Sequence, residues 1–165
     1  MSVVAANAAA PKRLYNKTIK AHWTVQLETK GPDGTVYRRS MNVSGLVYVS
    51  SQGRLFIRGT RAVGRNSETI SAGPGSKKYG ESAATAMFRG NQLLGTVAAA
   101  SGGAVRTTIT FDPSFSNCTV DVVYGRGGAA RARYPGINDP RKYEMISYQI
   151  SNRGCSISEG NIFAN

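Results

Sequence analysis

From Ile19 to Glu28 apolar residues take every second position: Ile19, Ala21, Trp23, Val25 and Leu27 alternate with Lys20, His22, Thr24, Gln26 and Glu28. This period of two predicts a half-buried strand with Trp23 in the core. Lys30-Gly31-Pro32-Asp33-Gly34 reads as a turn, because proline presets φ and glycine accepts a positive one. The chain then returns from Thr35 to Val49, with Tyr37, Met41, Val43, Val47 and Val49 on one parity and Gly45 predicting a bend or bulge. Gly45 to Gly59 reads as a hairpin around the loop Ser51-Gln52-Gly53, in which Gly53 takes the left-handed bulge position. With Ser50 opposite Arg54, one face carries Val47, Val49, Leu55 and Ile57, and the other carries Leu46, Tyr48, Arg54, Phe56 and Arg58. A shorter loop at Gln52-Gly53 would mix valines with arginines on one face, so the pattern selects the longer one.

Periodicity fails from Gly59 to Gly80, where Gly64, Gly73-Pro74-Gly75 and Lys77-Lys78 predict a long loop. Ser82 to Arg89 fits a short helix or a strand; we read a strand that turns at Gly90-Asn91 into a second one over Gln92 to Ala98. Ser101-Gly102-Gly103 is a turn. Val105, Thr107, Ile109 and Phe111 form the next strand face, Asp112-Pro113-Ser114 breaks it, and Cys118, Val120, Val122 and Tyr124 form another. A second loop spans Gly125 to Arg141, followed by a strand over Met145 to Ile150 and a further one over Cys155 to Ile157. Eight to ten strands without a helix predict one all-β domain over residues 13–165, an antiparallel barrel or sandwich with a lipocalin-like meander favoured. Residues 1–12 read as a leader or signal-peptide remnant, since Ala6-Asn7-Ala8 and Ala8-Ala9-Ala10 fit the small-x-small cleavage rule although the basic start of a signal is missing. The expected location is therefore exported, periplasmic or extracellular, with the cytoplasm as the alternative.

Composition narrows the partners. The net charge is +12, and 14 of the 21 basic residues are arginine, whose planar fork binds phosphate or carboxylate bidentately and stacks on rings. A polyanion, an acidic protein or a second copy of the chain are the expected partners, with nucleic acid possible. No apolar run approaches the roughly 20 residues of a membrane-spanning helix. Cys118 and Cys155 form either a disulfide, worth roughly 4 kcal/mol in the chain-entropy model, or two buried thiols.

Catalytic chemistry finds little support. His22 is the sole imidazole and stands on the outward parity of the first strand, where a solvated histidine is the ordinary outcome. One histidine and two distant cysteines do not compose a zinc site, so no metal, cofactor or enzymatic activity is expected. Binding finds more. Between Gly34 and Ser67 there are six arginines and no acid, interleaved with aromatic residues. The expected binding surface comprises Arg38, Tyr48, Arg54, Phe56, Arg58 and Arg61, with a second basic loop at Arg126, Arg131, Arg133 and Arg141. These residues suit a non-enzymatic binding or structural protein that contacts an anionic partner or self-assembles. The alternatives are a nucleic-acid-binding β module and a small-molecule carrier with its ligand in the barrel interior.

Phe111-Asp112-Pro113-Ser114-Phe115-Ser116-Asn117-Cys118 and Gly154-Cys155-Ser156-Ile157-Ser158-Glu159-Gly160-Asn161 resemble segments of small, exported, β-rich bacterial proteins. So do Leu14-Tyr15-Asn16-Lys17-Thr18-Ile19 and Val47-Tyr48-Val49-Ser50-Ser51-Gln52-Gly53-Arg54, and the four together extend over nearly the whole chain. The resemblance implies export and a Cys118–Cys155 bridge; it implies no activity. The chain departs from that group at its N-terminus, where a complete signal is not found.

Overall fold

The alternation along Ile19–Glu28 becomes strand β1 (Lys17–Lys30), in which Ile19, Ala21, Trp23, Val25 and Leu27 are buried and Lys20, His22 and Gln26 are exposed. The structure is a computed structural model and describes residues 9–31, 33–64, 66–72, 85–98, 104–125 and 144–162. Strand β2 (Val36–Val49) pairs antiparallel with β1 along its full length, from Lys17 opposite Val49 to Lys30 opposite Val36. In the intervening turn Gly34, at φ 82°, donates to the Gly31 carbonyl at 3.0 Å, and the Asp33 carboxylate accepts from the Thr35 N–H at 2.9 Å. The register passes through Gly45 without an offset, to Ala21 on one side and Gly59 on the other, so the bulge expected there is corrected.

The hairpin from β2 to β3 (Leu55–Val63) has the expected register, with Val49 opposite Leu55, Tyr48 opposite Phe56 and Val47 opposite Ile57. Ser50 donates to the Arg54 carbonyl at 2.9 Å, and Gly53 adopts φ 75°. Gly53 also lies under the Tyr15 ring: a Cβ here would sit 2.7 Å from the Tyr15 hydroxyl. β3 continues past Gly59, turns at Gly64 (φ 57°) and pairs with β4 (Asn66–Ala72), which corrects the first half of the expected long loop. β4 is an edge strand positioned by its ladder to β3, and an edge needs no sustained apolar alternation to be held. Gly73-Pro74-Gly75 and Lys77-Lys78 lie outside the described residues.

A second sheet follows as a meander of β5 (Thr85–Arg89), β6 (Gln92–Ala98), β7 (Ala104–Phe111) and β8 (Cys118–Tyr124). Arg89 faces Gln92 across Gly90-Asn91, with Gly90 at φ 59°, so the ambiguous segment is a strand where it is described. Phe88, Leu93, Ile109, Phe111, Val120 and Val122 are buried on the inner face. The break before β8 is a turn closed by one carboxylate. Asp112 accepts from the Ser116 N–H at 2.7 Å, the Asn117 N–H at 3.0 Å and the Ser114 hydroxyl at 2.5 Å. These bonds, led by that from the Asn117 backbone, hold the Asp112 pKa at about 2, below its ordinary 3.8.

β9 (Glu144–Glu159) is one strand where two were expected. It returns to β1 and stays paired through two offsets; at the first, Asn152 and Arg153 stand between Gly154 opposite His22 and Ser151 opposite Thr24. Asn152 takes φ 50° there, and the extra residue breaks the period of two, which is why the sequence reads as two pieces.

The strand orders are β4-β3-β2-β1-β9 and β5-β6-β7-β8. Of the two expected architectures the sandwich fits: among the described residues no ladder joins β8 to β9 or β4 to β5 to close a barrel, and two antiparallel sheets have facing inner rows. Side chains bridge the β8–β9 seam in place of a ladder. Cys118 and Cys155 form a disulfide, Arg153 donates to Asp121 at 2.9 Å, and the Tyr124 and Tyr148 rings lie 5.3 Å apart. At the N-terminal side Ala10 and Leu14 are buried around a 3-10 turn over Lys12–Leu14. Residues 1–8 of the expected leader lie outside the described residues.

Two outcomes follow from the seam and the turn. The disulfide closes a separation of 37 residues, so replacing both cysteines by serine lowers unfolding stability by about 4 kcal/mol, read by urea denaturation. Asp112 has a depressed folded pKa, so its contribution is complete above the ordinary 3.8 and is lost as pH falls from there through about 2. Asp112→Asn removes that acid-side loss, which a comparison of Tm against pH for the two proteins measures.

Candidate binding surface and interior cavity

Even-numbered positions of β1, β2 and β3 point away from the second sheet, and the two registers fix their neighbours. Across the three strands Thr18, Tyr48 and Phe56 form one row, and Lys20, Leu46 and Arg58 the next. The Tyr48 and Phe56 rings lie 6.2 Å apart, tilted by 36°, and both are half-buried. Arg54, exposed beside the hairpin loop, completes the cluster with exposed Lys20 and half-buried Arg58. The edge of the patch is tied down by Thr18. Its hydroxyl donates to the Gly160 carbonyl at 2.7 Å and accepts from the Ile162 N–H at 3.3 Å, which lays the segment after β9 over this fully buried threonine.

Four of the six expected surface residues, Tyr48, Arg54, Phe56 and Arg58, therefore converge. Arg38 does not. It shares their parity but stands ten residues along β2 from Tyr48, about 33 Å in an extended strand, and donates to Glu28 at 2.8 Å. It borders a shallow polar depression with Gln26, Ser40, Ser147 and Gln149. Arg61 does not join either, because it has the parity of Leu55 and Ile57 and lies on the inner side, opposite Val43. Lys20 is the member that a reading of the hairpin alone misses, since only the β1–β2 register brings it beside Leu46. The second basic loop, Arg126, Arg131, Arg133 and Arg141, lies outside the described residues. His22 is exposed on the outer face with its ring over Gly154, where a Cβ would overlap the imidazole. No helix among the described residues is long and apolar enough to cross a membrane.

The inner faces hold a feature that no sequence motif marks. On one sheet Ala21, Gly45 and Gly59 form a row across β1, β2 and β3; on the other Ala86, Gly95 and Thr107 form a row across β5, β6 and β7. Facing sheets stand about 10 Å apart, a gap that larger side chains fill and these do not. All six residues line a cavity of about 140 Å³ between the sheets. A Cβ placed on Gly45 meets nothing within 4 Å. Its walls are mainly apolar, with Trp23, Met41, Val47 and Ile57 below and Leu93, Ile109 and Tyr124 above, and Arg61 reaches the same space from β3. The Trp23 Nε1–H donates to the Tyr124 hydroxyl at 3.1 Å, so the indole N–H is satisfied within the wall. At roughly 24 cal/mol per Å³, an empty cavity of this size forgoes about 3 kcal/mol of packing.

No family model matches the chain, and comparisons with curated proteins and with solved structures return no match either.

Proposed function

We propose that this is an exported, non-enzymatic binding protein that holds an anionic polymer on the outer face of its five-stranded sheet, at Lys20, Leu46, Tyr48, Arg54, Phe56 and Arg58. The observation that carries this reading is the juxtaposition of three cations with two aromatic rings on one sheet face, in a chain of net charge +12. Arginine forks engage carboxylate or sulfate groups in pairs, and the C–H groups of a sugar's apolar face pack on whatever part of an aromatic face is left exposed beside them. The partner we favour is an acidic polysaccharide. Stacked nucleobases need open ring faces, whereas Tyr48 and Phe56 are tilted against each other and half-buried. The disulfide is compatible with export, where polysaccharides of this kind are met.

Binding to a polyuronate, followed against salt, tests the proposal. Arg54→Ala/Arg58→Ala lowers affinity at least tenfold and reduces the log–log salt slope by roughly two. The charge-matched control Arg89→Ala/Arg106→Ala, on the outer face of the other sheet, changes affinity less than threefold. Equal losses in the two double variants would reduce the interaction to net charge, and tighter binding of oligo-dT than of polyuronate at the same salt would replace polysaccharide by nucleic acid.

A further inference from the structure

The geometry points to the inter-sheet cavity as a second, separate binding site, and we propose that it takes one compact, uncharged aromatic molecule of about the size of benzene or toluene. Its volume, about 140 Å³, is close to that of dry apolar cavities known to admit benzene, and well below the roughly 300 Å³ at which ordinary ligand pockets begin. A fatty acid or other long-chain cargo does not fit such a space. Its lining is mainly aliphatic and aromatic, with Ser44, Thr60, Arg61, Thr96 and Thr107 as its polar members, and the Trp23 indole N–H is satisfied by the Tyr124 hydroxyl. A charged ligand would be stripped of water among these mainly apolar walls, and Arg61, the charged group on the lining, already has an interaction of its own, which leaves uncharged compounds.

The cavity follows from the register. Ala21, Gly45 and Gly59 fall in one row because β1, β2 and β3 pair without offset at that level, and β6 sets Gly95 between Ala86 and Thr107 in the facing row. Gly45 and Gly95 stand within strands and not at turns, and glycine is disfavoured there unless something approaches closely. Gly45 does not take a positive φ, and a Cβ on it would meet no atom within 4 Å, so neither backbone conformation nor neighbouring protein requires the absence of a side chain. A ligand that occupies the space supplies the missing reason.

Trp23 is the only tryptophan of the chain and forms part of the wall, so its fluorescence reports occupancy directly. Titration of the oxidised full-length protein with toluene is expected to change Trp23 emission saturably, to raise Tm, and to do both independently of salt. Gly45→Val fills the space from one sheet, and Ala86→Leu fills it from the other. Each is expected to weaken toluene binding at least tenfold, and Gly45→Val to raise the Tm of the ligand-free protein. Either filling variant suffices for the test if the other fails to fold. Absence of a saturable response in the parent protein, equal toluene affinity in a folded filling variant, or tighter binding of lauric acid than of toluene would each overturn the proposal. Arg54→Ala/Arg58→Ala is expected to leave toluene binding unchanged, which keeps this result independent of the polymer-binding surface.

Discussion

Strand β1 is hydrogen-bonded on both edges, to β2 along all 14 of its residues and to β9 with two offsets. Its inner row, Ile19, Ala21, Trp23, Val25 and Leu27, is the floor over which the second sheet closes. Burial of such a row requires a facing layer, and Phe88, Leu93, Ile109, Phe111, Val120 and Val122 provide it. The large side chains on either side of Ala21 act as spacers. They hold the layers apart at a height that the alanine and glycine row cannot reach, so the cavity is a consequence of where β1 carries its one small inner residue. Every position on β2 and β3, inner or outer, is then assigned by counting from β1.

The same register produces two unlike surfaces from one sheet. Odd positions at the hairpin end of β2 and β3, Val47, Val49, Leu55 and Ile57, are aliphatic and face the other sheet; even positions there are aromatic and cationic and face outward. The half-buried rings of Tyr48 and Phe56 cover each other, and long arginine stems suit the apolar ground around them. The β8–β9 seam works by different means. A disulfide, an Arg153–Asp121 ion pair and a Tyr124–Tyr148 contact join two strands that share no backbone ladder. The ion pair is exposed on both sides and adds little, so the covalent bond and the rings carry the junction.

Where turn chemistry and facial pattern agreed, the sequence was legible to the residue: the hairpin about Ser51-Gln52-Gly53 has the register that its valines and arginines demand, and Trp23 is in the core. Parity also held the answer for two misjudged arginines. Arg61 counts to the inner side from Leu55, and Arg38 counts to the far end of β2 from Tyr48. Charge had grouped them by proximity along the chain instead. Other features needed long-range pairing. β4 is recognisable only by its ladder to β3, and the continuity of β9 only by its ladder to β1, because an edge position and an extra residue each erase the period of two. The cavity needed more still, since a row of small residues becomes a void only when the opposite sheet is known to present another.

The pairing of β9 with β1 also brings the two ends of the strand succession together. β9 returns to β1 so that Lys17 stands opposite Glu159, and beyond them the Gly160 N–H donates to the Asn16 carbonyl at 2.7 Å. The first and last of the nine described strands thus start and finish side by side, although two sheets intervene along the chain between them. A polypeptide graft joining Asn16 to Gly160 would span almost no distance, and the opening could be moved to another turn without disturbing a ladder. Such a closure would bypass Leu14, whose fully buried side chain fills the core from the segment before β1, so the join spares every ladder but not every core contact.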